Sequence, residues 1–170
     1  MADLKEFEQK AADLRVLGMK ISIGQDTVYE KYWDEDCRRN IYSASKSFTS
    51  CAVGFAVQEG LIDLDERLMD AFKEDIPNNP DENLKKATVK DLLTMTLGQE
   101  KGFLMGKQRP RMEEQNWVKA SLAIPFVYEP GTHFVYNNVG PYLAGILVQR
   151  RAGCDLLSYL TPRLLKPLGI

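Results

Sequence analysis

Apolar positions follow two different periods at the start of the chain. They first recur every three or four residues, which predicts an amphipathic helix that Gly18 would end. These positions are Leu4, Phe7, Ala11, Leu14 and Leu17. Two runs rich in β-branched and aromatic residues follow, Met19–Ile23 and Thr27–Trp33, with GQD between them. The pattern therefore predicts an antiparallel hairpin after the first helix.

A longer apolar stretch extends from about Ser43 to Glu59, and Gly60 follows it as a stop signal. Its apolar residues fall on nearly every face of a helix. That pattern is typical of a helix buried in the middle of a domain. We therefore expect Cys51, inside this stretch, to be a small core residue.

The second half of the chain predicts further helices. They are expected in ATVKDLLTMTLG, EEQNWVKASLAI, VGPYLAGILVQRRAG and DLLSYLTPRLLKPLG. In the first of these, Thr88 and Asp91 stand in capping-box register and Gly98 would end the helix. In the last, Pro162 is expected to kink or break the helix.

Two segments between these helices lack helical periodicity. Residues 99–112 predict a surface loop, and PFVYEPGTHFVYNN predicts an extended stretch with a turn at Pro130–Gly131. Only the N-terminal hairpin predicts clear strands, and two strands alone make a marginal sheet in water. Helices, a partner chain or a further C-terminal part would have to complete that sheet.

The composition is that of an ordinary globular protein. With 170 residues the chain can form one domain with a sizeable core, so we expect a single domain over 1–170. A net charge of -2 gives no reason to expect nucleic acid or an anionic membrane as partner. No apolar run approaches the ~18 residues of a membrane span, and the charged N-terminus is not a secretory signal. The three cysteines have no metal-like spacing and are typical of a cytoplasmic protein, although a trimmed export signal would leave the same sequence.

Candidate chemistry begins with Ser43 and Lys46, which stand one helical turn apart at the start of the apolar helix. The field of the helix N-terminus and burial would both disfavour a lysine ammonium. A neutral amine could then take the serine proton, and the Ser43 N–H could donate to an oxyanion. Helix capping by Ser43 beside a solvated Lys46 is the alternative, because Ser-x-x-Lys occurs by chance about once in a chain of this length.

Tyr136 and Asn138 form a second candidate element. A tyrosine phenol can relay a proton to a leaving group, and an asparagine amide can hold both a lysine ammonium and a substrate carbonyl. Asn138 also precedes a predicted helix with Pro141 in its first turn, so a plain N-cap is a compatible role. The single histidine, His133, is expected on the surface of a loop or strand.

Four segments of the sequence together resemble a known group of enzymes: YSASKSFTS, VKDLLTMTLG, EPGTHFVYNNVGPYLAG and LLKPLGI. In their order and spacing they resemble the class C β-lactamase-like serine hydrolases, a group with penicillin-binding proteins, D-alanyl-D-alanine carboxypeptidases and esterases. The resemblance implies an α/β fold of the α+β type, with an antiparallel sheet flanked by helices. It implies that Ser43 is acylated, that Lys46 and Tyr136 move protons, and that Asn138 orients the substrate amide, with no metal or organic cofactor.

The sequence also departs from this group. Its members carry a third motif, Lys-Thr-Gly or His-x-Gly, on a late strand, and no Lys-Thr-Gly occurs in this chain. The resemblance implies that the missing part would supply the rest of the sheet, one oxyanion-hole N–H and part of the pocket. We therefore expect an incomplete sheet. The chain would then be a fragment of a longer enzyme, half of a split enzyme, or a domain that closes its sheet edge in another way, for instance by dimerising.

These features predict a serine hydrolase that forms an acyl-enzyme on β-lactams or D-amino-acid peptides. Hydrolysis of small esters is the close alternative. A penicillin-binding or sensor-like module without turnover is the alternative from another class. The expected partner is a small-molecule substrate, with a second copy or a complementing chain as a further possibility.

Overall fold

The computed structural model describes residues 4–35 and 37–170. Contacts between residues divide the chain into two compact units, Met1–Ile41 and Tyr42–Ile170. The expected single domain over 1–170 stays a prediction. No helix among the described residues is long and apolar enough to cross a membrane.

The first unit contains a helix and a hairpin, as the sequence predicts. Helix α1 (Lys5–Asp13) is followed by strands β1 (Gly18–Ile23) and β2 (Asp26–Tyr32), which pair antiparallel. The helix ends earlier than expected, because Arg15 adopts a left-handed conformation with φ of 57°. Gly18 therefore opens β1 and does not end the helix.

A carboxylate on α1 joins the helix to β2 within this unit. Glu8 accepts a hydrogen bond from the Tyr29 hydroxyl at 2.8 Å and also pairs with the Lys31 ammonium. The hydrogen bond from Lys31, followed by that from Tyr29, lowers the pKa of Glu8 from its ordinary value.

The second unit is built of helices around one apolar core. The helices are α2 (Ser45–Gln58), α3 (Leu68–Ala71), α4 (Glu82–Lys86), α5 (Val89–Thr94), α6 (Trp117–Leu122), α7 (Val139–Ala152), α8 (Leu156–Leu160) and α9 (Lys166–Leu168). Short 3₁₀ turns lie at Tyr42–Ala44 and Arg109–Arg111. The predicted helices are confirmed. The regular helix also breaks at Pro162, where a π-helical turn, Thr161–Leu165, separates α8 from α9.

Helix α2 buries only one of its faces. Ala52, Val53 and Ala56 are at most 1% exposed, and α7 and α8 pack against the helix. Cys51 and Val57 are exposed. The predictions of a helix buried on all sides and of Cys51 as a core residue are therefore wrong. Apolar residues do lie on all sides of the helix. A face is buried only where another element packs against it, and the pattern of one helix does not show whether such an element exists.

Helix α5 carries the predicted capping box. The Thr88 backbone N–H donates to the Asp91 carboxylate at 2.9 Å, and the Thr88 side chain accepts from the third residue of the helix. The helix ends at Met95, which adopts a left-handed conformation with φ of 57°, so Gly98 is not its stop. Gly140 lies where α7 crosses α5, and a Cβ on it would meet the Leu92 carbonyl oxygen at 2.2 Å.

The segment predicted to be a surface loop contains two buried residues. Gln99 is fully buried and Leu104 is 2% exposed, so the surface prediction is wrong for these two, whereas Glu100 and Lys101 are exposed. Gln99 also forms an isolated antiparallel bridge with Phe126. The turn predicted at Pro130–Gly131 is confirmed, with Gly131 at φ of 82°.

Candidate active site

Ser43 lies in the 3₁₀ turn Tyr42–Ala44 that leads into α2. Tyr42 adopts a left-handed conformation with φ of 45°, an uncommon one for a bulky residue. The sequence predicted Ser43 at the start of the α-helix, whereas the structure places it in the 3₁₀ turn just before that helix. Lys46 is the second residue of α2 and is half-buried, whereas Ser43 is exposed.

The structure brings the three predicted catalytic residues together. The Lys46 Nζ donates to Ser43 Oγ at 3.2 Å, and the Tyr136 hydroxyl donates to the same oxygen at 2.7 Å. The Lys46 Nζ also lies 5.2 Å from the centre of the Tyr136 ring. Two donors on one serine oxygen stabilise its anionic form and so favour loss of the hydroxyl proton. The catalytic roles of the three residues stay predictions.

The surroundings of Tyr136 favour its phenolate form. A hydrogen bond that the ionised phenol accepts from Ser43 lowers the pKa of Tyr136 from its ordinary value, and the hydrogen bond and positive charge of Lys46 act in the same direction. Partial burial opposes them. Tyr136 remains 45% exposed, so water screens part of this effect.

The two adjacent asparagines have different partners. Asn137 is 1% exposed, and its Oδ1 accepts from the Gly140 backbone N–H at 3.1 Å near the start of α7. Asn138 stands at the N-cap position but makes no side-chain capping bond. Asn137 thus does the capping that the sequence assigned to Asn138.

The Asn138 side chain contacts the loop that follows Gln99. Its Nδ2 donates to the Leu104 carbonyl at 2.9 Å and lies 3.6 Å from the Met105 sulfur. Within the described residues its hydrogen bonds do not reach Ser43 or Lys46, so its expected role toward substrate stays a prediction. These contacts with Leu104 and Met105 were not predicted, although the short apolar FLM inside a polar segment was a signal of burial for Leu104.

His133 lies where it was expected, on the surface. Its ring stacks on Tyr128 with centroids 4.2 Å apart, and its Nδ1 lies 2.8 Å from the Thr132 hydroxyl. Among the described residues, no three His, Cys, Asp or Glu side chains form a group that could hold a metal ion.

Comparison with known proteins agrees with this fold. A family model described as Beta-lactamase matches residues 5–170. The chain is 31% identical over 157 residues to monacolin J acid methylbutanoyltransferase from Aspergillus terreus, covering 81% of this chain and 37% of the relative. It is 31% identical over 150 residues to lovastatin esterase from Penicillium rubens, covering 75% of this chain and 37% of the relative.

A solved structure agrees as well. The octameric penicillin-binding protein homologue from Pyrococcus abyssi superposes with a TM-score of 0.74 at 24% identity, over 99% of this chain and 43% of that one. The fold is therefore that of the β-lactamases and penicillin-binding proteins, as the sequence predicts. The chain belongs to the Beta-lactamase family, whose relatives include esterases and acyltransferases. It spans 37% of the length of the two curated relatives.

Proposed function

We propose that this chain carries the acylation site of a serine hydrolase or acyltransferase that acts on carboxylic esters. The observation that carries the proposal is the pair of hydrogen bonds at Ser43 Oγ, 3.2 Å from Lys46 Nζ and 2.7 Å from the Tyr136 hydroxyl. One hydroxyl with two proton-handling groups in direct contact is the arrangement that a covalent acyl transfer needs.

The proposed reaction has two steps. Ionised Tyr136 takes the proton of Ser43 while Oγ forms a bond to the ester carbonyl carbon, and the Lys46 charge stabilises the phenolate. The bond from carbon to the leaving alcohol then breaks, and the alcohol leaves with the proton held by Tyr136. Water or a second alcohol attacks the acyl-Ser43 ester in the reverse manner. The Ser43 backbone N–H is the proposed donor to the oxyanion.

The relatives support an ester as substrate. The two relatives described above, each 31% identical, have names that describe a methylbutanoyl transfer and an esterase. The solved penicillin-binding homologue, at 24% identity, supports the fold alone. Hydrolysis of β-lactams or D-amino-acid peptides is the second candidate, favoured by the family model's description as Beta-lactamase. A third possibility is a sensor-like module, acylated at Ser43 without turnover.

The extent of activity in this chain alone is part of the proposal. The family resemblance implies that a second oxyanion donor comes from a part of the fold that this chain does not match, and the chain spans 37% of its curated relatives' length. One such donor is worth about 10²–10³ in rate. We therefore expect slow acylation by this chain alone. Full activity would need additional sequence of the same protein, a complementing chain or a second copy.

Intact-mass spectrometry after incubation with p-nitrophenyl butyrate, and separately with a penicillin, tests the proposal. We expect one butyryl group per chain, mapped to Ser43 by peptide analysis and absent in Ser43→Ala. Release of p-nitrophenol beyond one equivalent identifies an enzyme, and arrest at one equivalent identifies the sensor-like module. A penicillin adduct without a butyryl adduct would make β-lactams or D-amino-acid peptides, and not esters, the leading substrate class. No adduct on Ser43 with either compound, together with p-nitrophenol release no faster than in Ser43→Ala, would refute the proposal.

A further inference from the structure

The segment that carries Tyr136 lies against the two residues that follow α5. The Val135 backbone N–H, one residue before Tyr136, donates to the Met95 carbonyl at 3.0 Å. The Gly131 N–H donates to the Thr96 carbonyl at 2.9 Å. Met95 and Thr96 therefore set the path of the chain immediately before the phenol.

The chain after Tyr136 is fixed as well. The Asn138 backbone N–H donates to the Phe103 carbonyl at 3.2 Å, and a Cβ on Gly102 would lie 2.7 Å from the Tyr136 carbonyl oxygen. With Asn138 fixed, a displacement at Val135 would turn Tyr136 and not carry the whole segment away. The direction of the phenol thus depends on the contact of Val135 with the end of α5.

The end of α5 is in turn held by Asp91. Met95 has a left-handed conformation, which a non-glycine residue keeps only where its surroundings hold it. The next residue, Thr96, bonds to Asp91 twice. Its backbone N–H donates to the Asp91 carbonyl at 3.1 Å, and its hydroxyl donates to Asp91 Oδ1 at 3.2 Å.

The two oxygens of the Asp91 carboxylate contact opposite ends of α5. Oδ2 accepts from the backbone N–H and the hydroxyl of Thr88, at 2.9 and 2.8 Å, before the helix. Oδ1 accepts from the Thr96 hydroxyl after the helix, and a Cβ on Gly131 would lie 3.7 Å from it. The carboxylate is 9% exposed, and a charge so buried needs its hydrogen bonds. The residue that caps α5 therefore also fastens the turn at its other end.

Resting on the proposed role of Tyr136 in the acylation of Ser43, we infer that Thr96 and Asp91 are positioning residues, whose side-chain hydrogen bond holds the Tyr136 phenol against the nucleophile. Asp91 fixes Thr96, and the neighbouring Met95 carbonyl fixes Val135. Tyr136 follows directly, with its hydroxyl 2.7 Å from Ser43 Oγ. The influence thus passes through the backbone.

Two threonines that bind the same carboxylate provide matched variants. Thr96→Val removes the hydroxyl on Oδ1, and Thr88→Val removes the hydroxyl on Oδ2 but keeps the backbone N–H. Each variant loses one hydrogen bond to a carboxylate, so we expect both melting temperatures to fall by about 3–10 °C. Thr96→Ser keeps the hydroxyl and is the conservative rescue. If Thr96→Val does not fold, Thr96→Ala removes the same hydroxyl and is held to the same expectation.

The pH dependence of p-nitrophenolate release from p-nitrophenyl butyrate, corrected for release in Ser43→Ala, separates position from stability. In Thr96→Val we expect the plateau rate to fall about 10-fold, part of the ~10² that a misplacement of 1 Å costs. We also expect the rise with pH to move to higher pH, because a longer distance from Tyr136 to Ser43 and Lys46 weakens the contacts that stabilise the phenolate. Thr88→Val and Thr96→Ser should keep the wild-type rate and profile.

Titration of the Tyr136 ring carbon Cζ by ¹³C NMR checks the same shift without any substrate. Tyr136→Phe assigns the signal, and Thr96→Val should titrate at higher pH than wild type and Thr88→Val. A purely structural loss would lower both melting temperatures and leave this titration where it was.

The outcomes separate the inference from the proposed function. A wild-type profile in Thr96→Val, an equal change in Thr88→Val, or a failure of Thr96→Ser to keep the wild-type profile overturns the inference. In each of these cases Ser43-dependent release by the wild-type chain still upholds the proposed function. Release no faster from the wild-type chain than from Ser43→Ala overturns the proposed function, and the inference falls with it.

Discussion

At the scale of single residues, the contact between Lys46 and Tyr136 determines when the phenol ionises. If Tyr136 is the base, acylation of Ser43 should accelerate as pH rises through the pKa of Tyr136. That rise should lie below the ordinary tyrosine range, because the Ser43 hydrogen bond and Lys46 both lower this pKa. In Lys46→Met the charge and one hydrogen bond are lost, so we expect the rise to move to higher pH. The measurement is the pH dependence of p-nitrophenolate release.

Tyr136→Phe is the control for that experiment. Loss of a general base costs about 10²–10⁴ in rate, and we expect the rise with pH to disappear along with it. A Lys46→Met profile that superimposes on wild type would show that Lys46 does not act through Tyr136.

The neighbouring asparagines allow a second test at this scale, because only Asn137 caps α7. Asn137→Ala should lower the free energy of unfolding by about 1 kcal/mol, the ordinary value of an N-cap. Asn137→Asp keeps an acceptor of the same shape at a helix N-terminus and should lose less. Thermal unfolding of the three proteins gives the comparison, and equal losses in both variants would assign the effect to burial and not to capping.

At the scale of elements, the crossing of α5 and α7 depends on one missing side chain. A Cβ on Gly140 would be 2.2 Å from the Leu92 carbonyl oxygen, which belongs to the backbone and cannot rotate away. We expect Gly140→Ala to separate the two helices and to cost about 1–3 kcal/mol of stability, as overpacking usually does. Urea unfolding measures the loss.

Gly145 provides a matched control on the same helix. A Cβ there would lie 3.7 Å from side-chain atoms of Leu156 and Thr49, which is ordinary contact. Alanine is the better helix former, so Gly145→Ala should leave stability unchanged or raise it by up to about 1 kcal/mol. Equal destabilisation of both variants would contradict the close approach at Gly140.

The same elements show what the sequence could predict. Local signals were sufficient for the hairpin and for the capping box of Thr88 and Asp91, because those structures form between neighbours in the chain. The exposed face of α2 and the buried Leu104 depend on residues far away in sequence. The contact of Ser43 with Tyr136 spans 93 residues and was expected only through a family resemblance, since no periodicity connects such distant positions.

At the scale of the whole molecule, the outer face of α2 is the feature that most needs testing. Ser47, Cys51, Gly54 and Val57 follow one another at helical spacing and are exposed, although two of them are apolar. If nothing covers this face in solution, Cys51 should react with a thiol reagent in the native protein. All three cysteines of the chain are free and exposed, so we expect three equivalents to react with Ellman's reagent without denaturant.

Cys51→Ser supplies the reference for that count. The variant should give two equivalents, from Cys37 and Cys154, at rates equal to those in the wild-type chain. Two equivalents from the wild-type chain would contradict an open face. Sedimentation velocity would then show whether a second copy covers the face. A dimer would have twice the mass of the chain, and its dissociation on dilution would make Cys51 reactive again. The thiol count and the sedimentation result together decide between an open face and a face that a second copy covers.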